Sequence, residues 1–81
     1  MMVRSLFFAQ YRDMAGAEEL PVELPEGASV GDLVSALRGR VGGLASLPPK
    51  PVVAVNMDYA PLATPLREGD EVAFIPPVAG G

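Results

Sequence analysis

One segment of the chain, residues 29–41, has the pattern of a long amphipathic helix and limits what the rest can form. Ser29 provides an N-cap, and Asp32 follows three residues later as a shorter version of the capping box. We expect Gly39 and the Gly42–Gly43 pair to end the helix. Because one amphipathic helix covers one face of one sheet, the fold should stack a helix layer on a sheet. The helical spacing is carried by Val30, Leu33, Val34, Leu37 and Val41.

The segment before this helix predicts two strands joined by a short helical connection. Residues 2–9 carry a Phe on each of their alternating faces, which favours a central strand or one whose outer face meets a partner. Residues 10–17 predict about one helical turn, closed by Gly16. Residues 18–24 alternate cleanly, but Pro21 has no N–H to donate, so this segment predicts an edge strand.

The segment after the helix predicts further strands separated by loops. The resulting order is strand, strand, helix, strand, short strand, strand. It is the order of an α+β, ubiquitin-like β-grasp fold, a mixed sheet of about four to five strands with one main helix packed on one face. The first and last strands of that fold lie side by side in the middle of the sheet. We expect, in order, a stiff proline loop over residues 44–51, a short buried strand over 52–57, a turn beginning at Asp58 and Tyr59, a short strand near 61–62, a tight turn at Gly69 and a last strand over 71–75.

The composition excludes several classes of function. The 81 residues suffice for one domain, and a net charge of −4 without a basic cluster argues against a nucleic-acid partner. With neither cysteine nor histidine, the sequence offers no disulfide, no nucleophilic triad and none of the commonest metal ligand, so we expect no metal site. No apolar run is long enough to span a bilayer, and the N-terminus lacks a signal-peptide pattern. We therefore expect a cytoplasmic protein with no membrane partner.

The last residues, FIPPVAGG, divide the chain into a predicted domain over residues 1–75 and an extended tail over 76–81. Pro76 and Pro77 lack N–H groups, so they end the sheet ladder and stiffen the start of the tail. A tail of this length reaches about 20 Å at full extension. Since no side chain offers suitable chemistry, the carboxylate of Gly81 is the candidate reactive group. The residues that follow the prolines are small enough to enter a narrow tunnel: Val78, Ala79, Gly80 and Gly81.

Three stretches of the chain carry a resemblance to a known family. GDEVAFIPPVAGG resembles the C-terminal signature of the small subunit of molybdopterin synthase, the MoaD family of sulfur carriers. VRSLFFAQYRDMAG resembles that family's first strand and following loop, and VAVNMDYAPLATPLREGD resembles its third-strand region. The resemblance covers nearly the whole chain. Ile75 departs slightly from the pattern, because the family often has an aromatic residue there.

The resemblance implies a sulfur carrier with no catalytic side chains of its own and no permanently bound cofactor. An adenylyltransferase similar to ubiquitin-activating enzymes uses ATP to adenylate Gly81, and a persulfide from a sulfur donor then displaces AMP to leave a thiocarboxylate. The tail, with Gly80 and Gly81 at its end, enters the large subunit of a heterotetrameric synthase. There the sulfur is transferred to cyclic pyranopterin monophosphate, which builds the dithiolene of molybdopterin.

The resemblance also gives the outer face of the sheet an expected role, docking of the large subunit and of the activating enzyme. If Val72 and Phe74 pack under the helix, the residues between and beyond them face outward and form an apolar patch larger than a monomer needs. If the strand phase is the reverse, the patch residues are core. The candidate acidic rim is Glu68, Asp70 and Glu71. The predicted partner-binding residues are Leu6, Phe8, Tyr59, Ala73, Ile75, Pro76, Pro77, Val78 and Ala79.

Three other functions fit the same residues. Sulfur carriers for thiamine thiazole synthesis also end in two glycines, although they are usually shorter and typically lack the proline pair. A ubiquitin-like protein modifier would form isopeptide bonds through Gly81. A plain interaction domain with an incidental, frayed Gly-Gly terminus is the third alternative.

Overall fold

The computed structural model of the chain describes residues 1–77, which form a five-stranded mixed sheet with one main helix on one face. The elements are, in chain order, β1 (Met2–Phe7), α1 (Gln10–Ala15), β2 (Glu19–Glu23), α2 (Val30–Arg40), a single 3-10 turn (Gly42–Leu44), β3 (Val52–Val55), β4 (Asp58–Ala60) and β5 (Glu71–Ile75). The sheet order is β2-β1-β5-β3-β4. β1 and β5 pair in parallel, and the other neighbours are antiparallel. The predicted β-grasp arrangement is confirmed, with β2 at one edge.

The main helix begins where the sequence indicates and ends at Arg40, between the glycines that were expected to end it. The Ser29 hydroxyl accepts a hydrogen bond from the Asp32 N–H at 3.3 Å, and the Asp32 carboxylate accepts one from the Ser29 N–H at 2.8 Å. The prediction that Gly39 helps to end the helix is wrong, since α2 continues to Arg40. A glycine inside the last turn lowers helix stability by only about 1 kcal/mol. Burial of Leu37 on the same turn outweighs that loss.

The core lies between α2 and one face of the sheet. Strand residues of that face and apolar residues of α2 belong to one buried cluster. Phe7 and Phe74, on neighbouring central strands, stack with ring centroids 5.3 Å apart. The proline loop contributes more than expected, because Leu44 and Leu47 are fully buried in the same cluster. The strand residues at the centre of the core are Val3, Phe7, Val53, Val72 and Phe74.

The connection after β3 differs from the predicted one. Asn56 and Met57 have φ values of 48° and 75° and make a two-residue turn, so Asp58 and Tyr59 belong to β4 instead of beginning the turn. Two consecutive residues with positive φ are characteristic of tight hairpins, in which the turn twist matches the strand twist. Asn tolerates this conformation, whereas Met gives no sequence signal for it.

The short strand predicted near residues 61–62 lies earlier, at Asp58–Ala60, and residues 61–62 themselves are not part of a strand. This segment instead passes the N-terminus of α2, where the first helical N–H groups have no partner within the helix. The Val30 N–H donates to the Thr64 carbonyl and the Gly31 N–H donates to the Leu62 carbonyl, each at 2.9 Å. The segment is therefore held by the helix end and not by the sheet. The turns expected at Gly16 and Gly69 are confirmed, with φ values of 75° and 83°.

Candidate functional site: the outer sheet face and the tail root

The face of the sheet opposite α2 carries a row of apolar side chains across four strands. Leu6 on β1 is paired with Ala73 on β5, which is paired on its other side with Ala54 on β3. Ala54 is in turn paired with Tyr59 on β4. Because side chains of directly paired residues project from the same face, these four residues form one continuous strip. We call this strip and the residues flanking it towards the tail the outer face.

The flanking residues lie where β5 ends. Ile75 is paired with Val52, which is 56% exposed, and Phe8, directly after β1, is 49% exposed. Phe8 and Leu6 line the same depression, so the two predicted patch residues of the first strand lie together. Val72 and Phe74 are fully buried, so the strand phase is the one on which the predicted patch depended. The structure thus gathers on one face the patch residues that the sequence predicted: Leu6, Phe8, Tyr59, Ala73 and Ile75.

Sequence reasoning missed part of this face. Residues 52–57 were expected to form a uniformly buried strand, but β3 alternates: Val53 is buried while Val52 and Ala54 face outward beside β5. All four residues of the strand, Val-Val-Ala-Val, are apolar, so the segment carried too little polarity difference to indicate two faces. Met57, at the tip of the hairpin, is 92% exposed and was also missed.

Three charged side chains, Arg4, Glu19 and Glu71, lie together at the end of the outer face away from the tail. The Arg4 guanidinium donates to the Glu19 carboxylate at 2.8 Å and lies 3.5 Å from the Glu71 carboxylate. The hydrogen bond with Glu19 and the charge of that carboxylate raise the pKa of Arg4, and the hydrogen bond from Arg4 is the main reason that the pKa of Glu19 is lowered. All three side chains are partly exposed to solvent, by 36% to 48%, so the group contributes little to stability.

The expected acidic rim is largely engaged within the chain. Besides the pairing of Glu71 with Arg4, Glu68 accepts a hydrogen bond from the Met2 N–H at 3.0 Å. The Asp70 carboxylate accepts from the Asn56 side-chain amide at 2.9 Å and from the Arg67 N–H at 2.8 Å. These acids thus help to fix the turn before β5. Their predicted contact with basic partners stays a prediction.

The root of the tail lies beside an apolar groove. β5 ends at Ile75, and Pro76 and Pro77 follow without regular structure. The groove has a volume of about 370 Å³ and is lined by Tyr11, Pro48, Lys50, Pro51, Val52, Ile75, Pro76 and Pro77. The predicted tail residues Val78, Ala79, Gly80 and Gly81 lie outside the described residues. The division into a domain over 1–75 and a tail over 76–81 stays a prediction, as do the site roles.

Two features of other functional classes are missing from residues 1–77. This part of the chain contains no group of three acidic side chains placed to hold a metal ion. It also contains no helix that is both long and apolar enough to cross a membrane.

Comparison with known proteins identifies the family. The family model described as "ThiS family" matches residues 5–81, nearly the whole chain. The chain belongs to the ThiS family. A relative from Mycobacterium tuberculosis, named molybdopterin synthase sulfur carrier subunit, is 43% identical over 82 residues, with 98% of this chain and 96% of the relative covered. The predicted membership among the small subunits of molybdopterin synthase is thereby confirmed.

Solved structures of similar proteins have the same fold. The small archaeal modifier protein 1 of Haloferax volcanii superimposes with a TM-score of 0.85 at 30% identity, covering 95% of this chain and 98% of that one. Subunit 1 of the molybdopterin-converting factor of Helicobacter pylori, solved in complex with subunit 2, gives a TM-score of 0.72 at 28% identity, with both chains fully covered. Full-length relatives from Chlamydomonas reinhardtii, Mycobacterium tuberculosis and Escherichia coli carry the molybdopterin synthase name, so the thiazole and modifier alternatives are not favoured.

Proposed function

We propose that this chain is the sulfur carrier subunit of a molybdopterin synthase and that its reactive group is the carboxylate of Gly81. The observation that carries the proposal is full-length similarity to proteins of that name, at 43% identity to the Mycobacterium tuberculosis relative and 39% to the Escherichia coli one. The family match extends to Gly81 itself. The absence of cysteine from the sequence leaves no side chain on which sulfur could be carried as a persulfide.

In the proposed reaction, a carboxylate oxygen of Gly81 attacks the α-phosphorus of ATP on an activating enzyme, and pyrophosphate leaves. The sulfur of a persulfide from a donor system then attacks the acyl carbon and AMP leaves. Reductive cleavage of the S–S bond by a donor thiol frees the thiocarboxylate. The large synthase subunit receives the tail and transfers the sulfur to cyclic pyranopterin monophosphate. ATP serves the activating enzyme, and the cytoplasm is the proposed compartment.

The outer face is the proposed docking surface for the large subunit, in a heterotetramer. It presents apolar side chains from four strands, with Tyr59 76% exposed at its margin and Ile75 directly before the tail. An apolar surface of this kind is more typical of a protein interface than of a solvated sheet face. The Helicobacter pylori relative, whose structure is a complex with its second subunit, supports the expectation that this chain binds a large subunit.

Mass spectrometry of the intact chain tests the proposal directly. After incubation with ATP, the activating enzyme and a sulfur donor, we expect the mass gain of one oxygen replaced by sulfur, located at Gly81. A variant lacking Gly81 has the same folded domain and should show no gain. The modified chain, mixed with the large subunit and cyclic pyranopterin monophosphate, should yield molybdopterin and return to its original mass. An unmodified chain in the presence of active partners would disprove the proposal.

A further inference from the structure

The groove beside the tail root contains a single cation in apolar surroundings. Lys50 is the only lysine of the sequence, and it stands between Pro49 and Pro51 in a loop whose prolines restrict the backbone. The other lining residues contribute aromatic, proline and aliphatic surface. Within residues 1–77, the ion pairs involve only the N-terminal ammonium, Arg4 and Arg12 as cations. Lys50 therefore has no carboxylate partner in the described part of the chain.

The groove continues both parts of the proposed interface. It shares Val52 and Ile75 with the outer face, and it shares Pro76 and Pro77 with the start of the tail. A protein that covers the outer face and receives the tail must therefore pass over the groove. This step rests on the proposed function, which requires one partner to do both.

Covering the groove has a consequence for the chemistry of that partner. An ammonium group that loses water without gaining a partner is strongly destabilised, so a purely apolar cover would weaken the complex. A carboxylate placed beside Lys50 removes that penalty, and an apolar side chain next to it fills the space between the prolines and Tyr11. Because the surrounding loop is proline-rich, little conformational entropy is lost when the contact forms.

We propose that the groove around Lys50 is a second docking site, which binds an apolar side chain and an adjacent carboxylate at the mouth of the partner's tail-binding tunnel. The site complements the acidic surface of this chain, whose net charge is −4. Lys50 supplies a local contact of opposite sign and so fixes the orientation in which the tail enters. The role of Lys50 is in binding, with no part in the sulfur transfer.

Charge reversal at Lys50 tests the site against a matched control. Arg38 is also exposed and lies in the last turn of α2, on the helix layer and away from the outer face. Lys50→Glu and Arg38→Glu change the net charge equally. Affinity for the large synthase subunit from the same organism is measured by calorimetry at low and high salt, with thermal unfolding of each variant as a check on the fold.

We expect Lys50→Glu to weaken binding by about tenfold or more at low salt and by less at high salt, because mobile ions screen the lost contact. Lys50→Arg should retain most of the affinity, and Arg38→Glu should bind like the unmodified chain. Equal losses for both reversals, or an unchanged affinity of Lys50→Glu, would overturn the proposed site while leaving the sulfur-carrier proposal standing. If the unmodified chain itself fails to bind the large subunit, the proposed function fails and the site fails with it.

Discussion

The two faces of the sheet differ in burial, although neighbouring residues of the same strands form them. On the face under α2, the five central strand residues are at most 2% exposed and pack against the helix. On the outer face, apolar residues remain partly or largely exposed, as Val52 and Tyr59 show. β5 makes the contrast sharpest, since Phe74 lies in the core and Ile75, the next residue, lies on the outer face. Folding thus buries one face of the sheet and leaves apolar side chains of the other face exposed.

Alanine substitutions at Phe74 and Ile75 should give the largest contrast between the two faces, one in stability and the other in binding. Phe74→Ala removes a fully buried ring that stacks on Phe7, so we expect the free energy of unfolding to fall by about 3–5 kcal/mol. Ile75→Ala removes a partly exposed side chain and should change stability by about 1 kcal/mol or less. It should instead weaken binding to the large subunit by about tenfold. Urea unfolding and calorimetric titration measure the two effects.

The comparison would fail in one of two ways. A large loss of stability in Ile75→Ala would show that the outer face also holds the domain together. Unchanged binding in the same variant would show that association uses another surface.

The core includes residues of the loop after α2, and a substitution at Gly43 tests how tightly that loop packs. A Cβ atom at Gly43 would overlap the Met14 carbonyl oxygen at the end of α1, whereas a Cβ at the neighbouring Gly42 meets nothing within 4 Å. Gly43→Ala must push α1 away from the turn that brings Leu44 into the core, and we expect a loss of about 1–3 kcal/mol. Gly42→Ala should be nearly neutral. Similar melting temperatures for the two variants would mean that α1 shifts freely.

The sequence predicted the helix because local signals and burial agree there, and the Ser29–Asp32 pair fixes the start of α2. The strand phase stayed a condition, because residues 72–75 are apolar on both faces and only the structure places Phe74 inward. The register that brings Leu6, Ala73 and Tyr59 into one row depends on pairing between distant strands. For β1 and β5, the order of elements was enough to predict that the two strands are neighbours, but not which of their residues are paired.

Other parts of the structure could not be predicted because tertiary contacts overrode weak local signals. Met57 adopts a positive φ that Met rarely favours, so the hairpin between β3 and β4 had no clear turn pattern. Leu44 and Leu47 lie in a proline-rich loop that resembles a linker, yet both are buried. Their burial depends on where α2 ends, which no local pattern of the loop records.

Ser5 is the one buried polar residue within residues 1–77, and removal of its hydroxyl should have a smaller, stabilising effect. The Ser5 hydroxyl is fully buried and has no hydrogen-bond partner among the described residues. An unsatisfied buried hydroxyl is unfavourable, so Ser5→Ala should raise the free energy of unfolding by about 1 kcal/mol. Ser46→Ala, at an exposed loop position, is the control and should change little. A destabilised Ser5→Ala would show that the hydroxyl is satisfied in the folded protein.

On the outer face, the smallest expected effect concerns the exposed pair of Arg4 and Glu19. The hydrogen bond from Arg4 lowers the pKa of Glu19, which means that the folded state favours the ionised carboxylate. The pair therefore contributes its stability above the ordinary glutamate pKa, and this contribution is lost as the pH falls through the lower folded-state pKa. Because both side chains are exposed, the change in unfolding free energy should be slight and should shrink further in salt.

The pKa of Glu19 itself is the sharper observable, since NMR of its carboxyl carbon reports the pair without relying on small stability differences. In Arg4→Gln we expect the pKa of Glu19 to rise towards its ordinary value. Arg38→Gln removes the same charge from the helix layer and should leave the Glu19 pKa where it is. If both variants raise it equally, the shift comes from the overall charge of the domain and not from the contact on the outer face. The charged end of that face would then be no more organised than the rest of the surface.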